Sequence, residues 1–209
     1  GEISQQIADD DAAGGQVAFS PNGKWLAISH PQLQTVRIWD LISNQQIAER
    51  QFSEDTFCCA WTNDSQRLAV GSGYDILLLE TDNWSAEPLS ILSGPNEIIA
   101  NLYFDPSGRW LATYGYDGKS RLWDCESRSV VLVLDGHVQY FGPSGDRIAF
   151  RSYDQLGLWE VKLDDIVWHQ TDSRARKLEV DIATFLNHDR WLAVAGPQGC
   201  DIWEVEHRR

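Results

Sequence analysis

An all-β chain, built as a propeller of five four-stranded blades, is predicted by three recurrences. The first is a bulky apolar residue followed by alanine: Leu26-Ala27, Leu68-Ala69, Leu111-Ala112, Ile148-Ala149 and Leu192-Ala193, spaced 42, 43, 37 and 44 residues apart. The second runs in step with it and ends in an acid: Trp39-Asp40, Leu79-Glu80, Trp123-Asp124, Trp159-Glu160 and Trp203-Glu204. The third is a turn signal ahead of each alanine pair: Pro21-Asn22-Gly23, Asn63-Asp64-Ser65, Pro106-Ser107-Gly108, Pro143-Ser144-Gly145 and Asn187-His188-Asp189. A period near 40 residues is that of a four-stranded blade. The units span about 9–52, 53–93, 94–135, 136–171 and 176–209, with a further strand at 2–8, and one repeat domain accounts for the whole of 1–209.

Each unit opens on an apolar strand: Val17-Ala18-Phe19, Phe57 to Trp61, Ile99 to Phe104, Val138 to Phe141, and Ile182 to Leu186. The turn follows, because Pro presets φ while Asn and Gly tolerate positive φ. Such a short loop makes the strands it joins antiparallel neighbours. The second strand carries the alanine pair, whose small residue lets neighbouring sheets approach closely. The third strand alternates with period two, as in Val36-Arg37-Ile38-Trp39 and Ser120-Arg121-Leu122-Trp123. Fourth strands are expected at Gln46 to Arg50, Pro88 to Leu92, Val130 to Leu134 and Asp165 to Trp168. The last unit has room for three strands only, and Glu2 to Ala8 reads as an orphan fourth. Zipping that strand into the last blade would remove two exposed sheet edges.

These stretches resemble the WD-repeat (Trp-Asp repeat) β-propeller family. The match rests on Phe19-Ser20-Pro21-Asn22-Gly23-Lys24-Trp25-Leu26-Ala27 through Val36-Arg37-Ile38-Trp39-Asp40, and on Phe104-Asp105-Pro106-Ser107-Gly108 through Leu122-Trp123-Asp124. Gly136-His137 is similar to the family's Gly-His start. The resemblance implies five WD-type blades, either closing alone or forming part of a larger, seven-bladed ring. It also implies a hydrogen-bonded set of His, Ser or Thr, Asp and Trp in the fullest blades. Thr113, Asp117 and Trp123 supply three members in the third unit, and His137, Asp154 and Trp159 three in the fourth, where Phe150 replaces the hydroxyl. No unit is complete.

Composition narrows the function classes. The net charge is −14 at pH 7, whereas a phosphate-binding surface is usually basic, so general nucleic-acid affinity is not expected. An acidic surface favours basic partners. No apolar run approaches the ~20 residues of a membrane span. The four cysteines, Cys58, Cys59, Cys125 and Cys200, lack ligand or redox spacing, and Cys58 and Cys59 point to opposite faces of a strand. Reduced structural thiols and an intracellular, cytoplasmic location are the expectation. No methionine occurs, Gly1 included, which suggests a segment of a longer protein.

No nucleotide cradle, nucleophile elbow or zinc spacing is present among these motifs, so neither cofactor nor metal is expected. One reading places a glycan-binding or glycoside-cleaving site at the channel mouth, on Asp55, Glu97 and Asp181, and needs two carboxylates ~5–9 Å apart. The other is a non-catalytic scaffold for a protein or peptide, a docking or sensing module beside further domains of a parent chain. Its candidate contacts are the residues of the turns between second and third strands and their neighbours: His30, Tyr74, Tyr114, Tyr116, Arg151 and Tyr153, with Arg174, Arg176 and Lys177 on a longer loop. Tyr and Arg are the residue types that most often anchor interfaces.

Overall fold

A computed structural model describes residues 7, 15–93, 97–152, 155–161, 166–167, 182–186, 191–196 and 199–204. Every regular element among them is a β-strand. Among the described residues no helix is long and apolar enough to cross a membrane. The chain divides into two compact units, Gly1–Leu102 and Tyr103–Arg209.

Blade one holds β1 (Val17–Phe19), β2 (Trp25–His30), β3 (Thr35–Asp40) and β4 (Gln45–Gln51). Blade two holds β5 (Cys58–Trp61), β6 (Arg67–Ser72), β7 (Asp75–Glu80) and β8 (Ser90–Ser93). Blade three holds β9 (Ile99–Phe104), in which the division between units falls, then β10 (Trp110–Gly115), β11 (Lys119–Asp124) and β12 (Ser129–Asp135). Blade four holds β13 (His137–Phe141), β14 (Arg147–Ser152), β15 (Gln155–Val161) and β16 (Ile166–Val167). In blade five β17 (Ile182–Leu186), β18 (Trp191–Gly196) and β19 (Gly199–Glu204) are described. Each sheet keeps its strands in sequence order. The fourth strand of blade two starts at Ser90 rather than Pro88, a residue with no N–H to give to a ladder. The proposed strand at 2–8 lies outside the described residues apart from Ile7.

Register explains the two recurring pairs. Leu26 faces Trp39, Leu68 faces Leu79, Leu111 faces Trp123, Ile148 faces Trp159 and Leu192 faces Trp203. The alanines face Ile38, Leu78, Leu122, Leu158 and Ile202 on the opposite side of each sheet. Ala27, Ala69, Ala112 and Ala149 are fully buried.

The turns repeat in atomic detail as well. Gly23, Ser65, Gly108 and Gly145 all have positive φ, and each donates its N–H to the carbonyl three residues earlier. Ahead of the turn, Ser20 Oγ, Thr62 Oγ1 and Asp105 Oδ1 accept from the N–H of Trp25, Arg67 and Trp110, at 2.8, 3.0 and 2.7 Å. Ser65 is the exception to glycine, and its hydroxyl accepts from Asn22 N–H at 3.0 Å. That contact offsets the strain of a left-handed non-glycine residue, of order ~1 kcal/mol.

In the first unit, Ala27, Val36 and Ile38 of blade one meet Cys59, Trp61, Leu68 and Val70 of blade two in one core. Trp61 donates Nε1–H to Ala18 O at 2.8 Å and stacks on Trp25, with Trp84 edge-on to both rings. Burying an aromatic of ~150–250 Å² at ~25 cal/mol per Å² outweighs a ~1 kcal/mol hydrogen bond, so the bond orients the ring and burial holds it. In the second unit Trp110, Ala112 and Leu122 of blade three pack with Val138, Ile148 and Phe150 of blade four. Cys58 and Cys59 are both buried, Cys59 in the inter-blade core and Cys58 with its Sγ 3.4 Å from Ile99 O. Burial pushes the Cys59 thiol up to about 12 and Cys58 further still, so neither is a nucleophile.

Candidate interaction site

Two turns between second and third strands, one in each unit, each carry an exposed tyrosine. In blade two, Ser72 faces Asp75 across the ladder, leaving Gly73 and Tyr74 as a two-residue hairpin. Gly73 has φ +57°, the left-handed region that glycine adopts without penalty. Its N–H donates to Asp55 O at 3.0 Å, its carbonyl accepts from Ile99 N–H at 3.1 Å, and Ser72 Oγ–H donates to Glu54 O at 3.2 Å. A Cβ on Gly73 would lie 2.9 Å from Glu54 Cβ, so the Glu54 side chain rests on the turn. Three segments of chain are thus tied at one point.

Tyr74 projects from this knot, 49% exposed. Glu54 and Glu97 on the adjoining segments are exposed, and Asp55 and Asp75 are half-buried. Asp55 Oδ1 accepts from Gln34 Nε2 at 3.4 Å. Between Gln51 and Ala100 the chain has eight carboxylates and one basic residue, Arg67, which starts β6 at the far end from the turn. The result is an aromatic residue on a rigid hairpin with negative charge around it.

In the second unit the turn is Tyr116-Asp117-Gly118. Gly118 has φ +76°, and Tyr116 is 61% exposed. Beneath it the Arg121 guanidinium grips both oxygens of the Asp117 carboxylate, whose Oδ1 also accepts from Lys119 N–H at 3.1 Å. The hydrogen bond from Arg121, with that from Lys119, holds the Asp117 carboxyl below the usual carboxylate range. Both side chains are largely buried, so this pair braces the turn. Tyr114 packs edge-on against the His137 ring, centroids 4.3 Å apart. Burial, and then the positive charge of Arg151, push the His137 imidazole below its ordinary value and keep it neutral at pH 7. Arg151 is the cross-strand partner of His137 and is half-buried.

The sequence candidates therefore separate. Tyr74 and Tyr116 lie at the surface. Tyr114 is spent on His137, and Arg151 sits beside it. His30 is corrected: at 1% exposure, on the last position of β2, it belongs to the interior and offers a partner nothing. Tyr153, Arg174, Arg176 and Lys177 lie outside the described residues. Of the channel-mouth acids, Asp55 binds the Gly73–Tyr74 turn through its carbonyl, Glu97 stands two residues before Ile99, which also binds that turn, and Asp181 lies outside the described residues. Glu54, Asp75 and the Asp117–Arg121 pair carry no motif that marks them in the sequence. In blade three Trp123 donates Nε1–H to Thr113 Oγ1 at 3.0 Å, as the resemblance implies, but Asp117 takes Arg121 as partner. Among the described residues no group of three or more His, Cys, Asp or Glu side chains is placed to hold a metal ion.

Antiparallel sheets of three or four described strands, repeated with one register and one turn, define a blade-built repeat protein. The family model described as "WD domain, G-beta repeat" matches residues 15–40 and 86–124, so these stretches of the chain are WD repeats. It is similar to the Notchless protein homolog of Arabidopsis thaliana, 33% identical over 73 residues, covering 35% of this chain and 15% of that protein. It is similar to human apoptotic protease-activating factor 1, 29% identical over 164 residues, covering 69% of this chain and 13% of that protein. It is also similar to the target of rapamycin complex subunit wat1 of Schizosaccharomyces pombe, 26% identical over 122 residues, covering 57% of this chain and 38% of that protein. The chain thus spans well under half of each of these relatives.

Proposed function

We propose that this chain is a non-catalytic docking module that binds a basic segment of another protein, with Tyr74 as anchor and the surrounding acids as guide. One observation carries the reading: Tyr74 stands exposed on a hairpin that backbone hydrogen bonds fix from two sides, among Glu54, Asp55, Asp75 and Glu97. A fixed tyrosine loses little conformational freedom on binding and supplies much contact area. Carboxylates at its rim steer a cationic partner and reject acidic ones, an effect on association rate and selectivity more than on affinity. Tyr116 and Arg151 form a second contact area in the other unit. The Gln34–Asp55 contact and the buried, high-pKa thiols fit a structural economy in which these polar groups serve the fold. The similarity to a protein named as a subunit of a complex supports a role in assembly. We place the protein in the cytoplasm, where adjacent buried thiols such as Cys58 and Cys59 stay reduced.

The test compares proteins co-purified from the native extract by the wild-type chain, by Tyr74→Ala, by Glu54→Gln with Glu97→Gln, and by Lys24→Ala at the opposite end of blade one. A partner should be retained at least ~10-fold less well by Tyr74→Ala, the loss expected of an interface anchor. The Glu pair should weaken capture mainly at low salt, and Lys24→Ala should have no effect. A set of partners unchanged by Tyr74→Ala removes this turn as the site.

A further inference from the structure

The outer edges of the blades differ in a way the docking turns do not explain. Blades one and three end on the longest outer strands, β4 and β12, of seven residues each. β4 reads Gln-Gln-Ile-Ala-Glu-Arg-Gln. Its charges are engaged, Glu49 with Arg37 at 3.1 Å and Arg50 with the carbonyl of Trp84 at 3.4 Å. Charges on an edge strand are a standard guard against pairing with another chain. β12 reads Ser-Val-Val-Leu-Val-Leu-Asp and has no charge before Asp135. Val130, Val131 and Val133 are exposed, Val133 at 47%.

β12 is the last strand of its sheet, so its outer backbone groups meet no strand among the described residues. Leu132 and Leu134 turn inward onto the blade three–blade four core, which fixes the strand's face. One bulge, where Leu122 pairs Leu132 but Trp123 pairs Val130, leaves Leu132 to Asp135 in regular register. The same bulge is present in β4, so it is no special guard of β12. An uncharged, β-branched, regular edge is the local chemistry that adds a strand.

We propose that β12 pairs antiparallel with β12 of a second copy of this chain. The strand is its own complement. Arg128, exposed, stands just before it and Asp135 ends it. In an antiparallel pair each Arg128 approaches the other copy's Asp135, and the valines meet valines between them. Within its own chain Asp135 lies 3.6 Å from Lys119 Nζ and is otherwise well exposed, and a two-fold axis brings Arg128 to it at both ends at once, as an isologous interface requires. A single strand pair buries far less than the ~1,200 Å² of a stable complex, so the dimer forms only at high concentration.

The test is sedimentation equilibrium of the whole chain from about 10 μM to about 1 mM, in about 1 M salt, where the Debye length of ~3 Å screens the net repulsion. The average mass should rise with concentration from 23.7 kDa toward twice that value. Val133→Lys should stay monomeric, and Ile47→Lys on β4 should associate like the wild type. Far-UV circular dichroism checks that each variant keeps its sheets, since both sites are exposed. A monomer throughout the range overturns the proposal and leaves the edge to strands of other proteins. Unchanged association of Val133→Lys overturns it too, because the contact then lies elsewhere.

Discussion

The difference between Tyr114 and Tyr116, two residues apart on one hairpin, shows what decides a side chain's use. Tyr114 is the strand residue and lies against His137, while Tyr116 is the turn residue and lies open. The same alternation buries His30 and exposes Tyr74. These assignments depend on which residue ends the strand, and a shift of one position inverts them. That is why the sequence marks turns with exposed tyrosines and still misplaces His30. A buried polar pair is the second theme at this scale. Trp123 is 2% exposed and Thr113 likewise, so their 3.0 Å hydrogen bond has no water to replace it. A double-mutant cycle of Trp123→Phe and Thr113→Val, followed by urea unfolding, should give a coupling of about 1 kcal/mol or more, because either single change leaves a buried group unsatisfied. Strict additivity of the two changes would show the bond to be incidental.

At the scale of the element, the blade is set by a few positions that the sequence displays openly. The turn residues, the alanine pairs and the Trp-acid pairs occupy the same register in every sheet for which it is described. Most first and second strands fall where the alternation puts them. Less legible is what fits between sheets, since contact across a blade interface leaves no period in the sequence. Gly71 is an example: it faces Cys58 across the ladder of its own sheet and leaves room for Ile99 of the next one. A Cβ there would lie 2.7 Å from Cys58 Sγ and 3.3 Å from Ile99 Cγ2. Gly71→Ala gains ~0.4–1 kcal/mol by restricting the unfolded chain, yet overpacking costs ~1–3 kcal/mol, so the variant should be less stable. Adding Cys58→Ala should recover most of the loss in a urea titration. Equal stability of Gly71→Ala and the wild type would mean that β5 and β6 yield more readily than their packing implies.

Over the whole molecule, charge is the property that was visible earliest and understood last. The total of −14 argues against a phosphate-binding surface in general terms, but says nothing of place. The place emerges from topology: hydrogen bonds from Gly73 to the 52–56 and 97–99 segments draw separate acids to one tyrosine. Acids far apart in the chain cannot be grouped without knowing which loops meet, and the sheet order supplies that knowledge. The turn aromatics, by contrast, were legible from the repeat alone. We propose that the Tyr74 turn is where this protein meets a basic partner. A photo-crosslinking amino acid at position 74, with position 24 as the control, followed by mass spectrometry of the captured peptides, tests it directly. The account predicts crosslinks from position 74 to Lys- or Arg-rich segments of one protein, reduced when Glu54 and Glu97 are neutralised. Equal capture from both positions, or acidic segments at position 74, would contradict it.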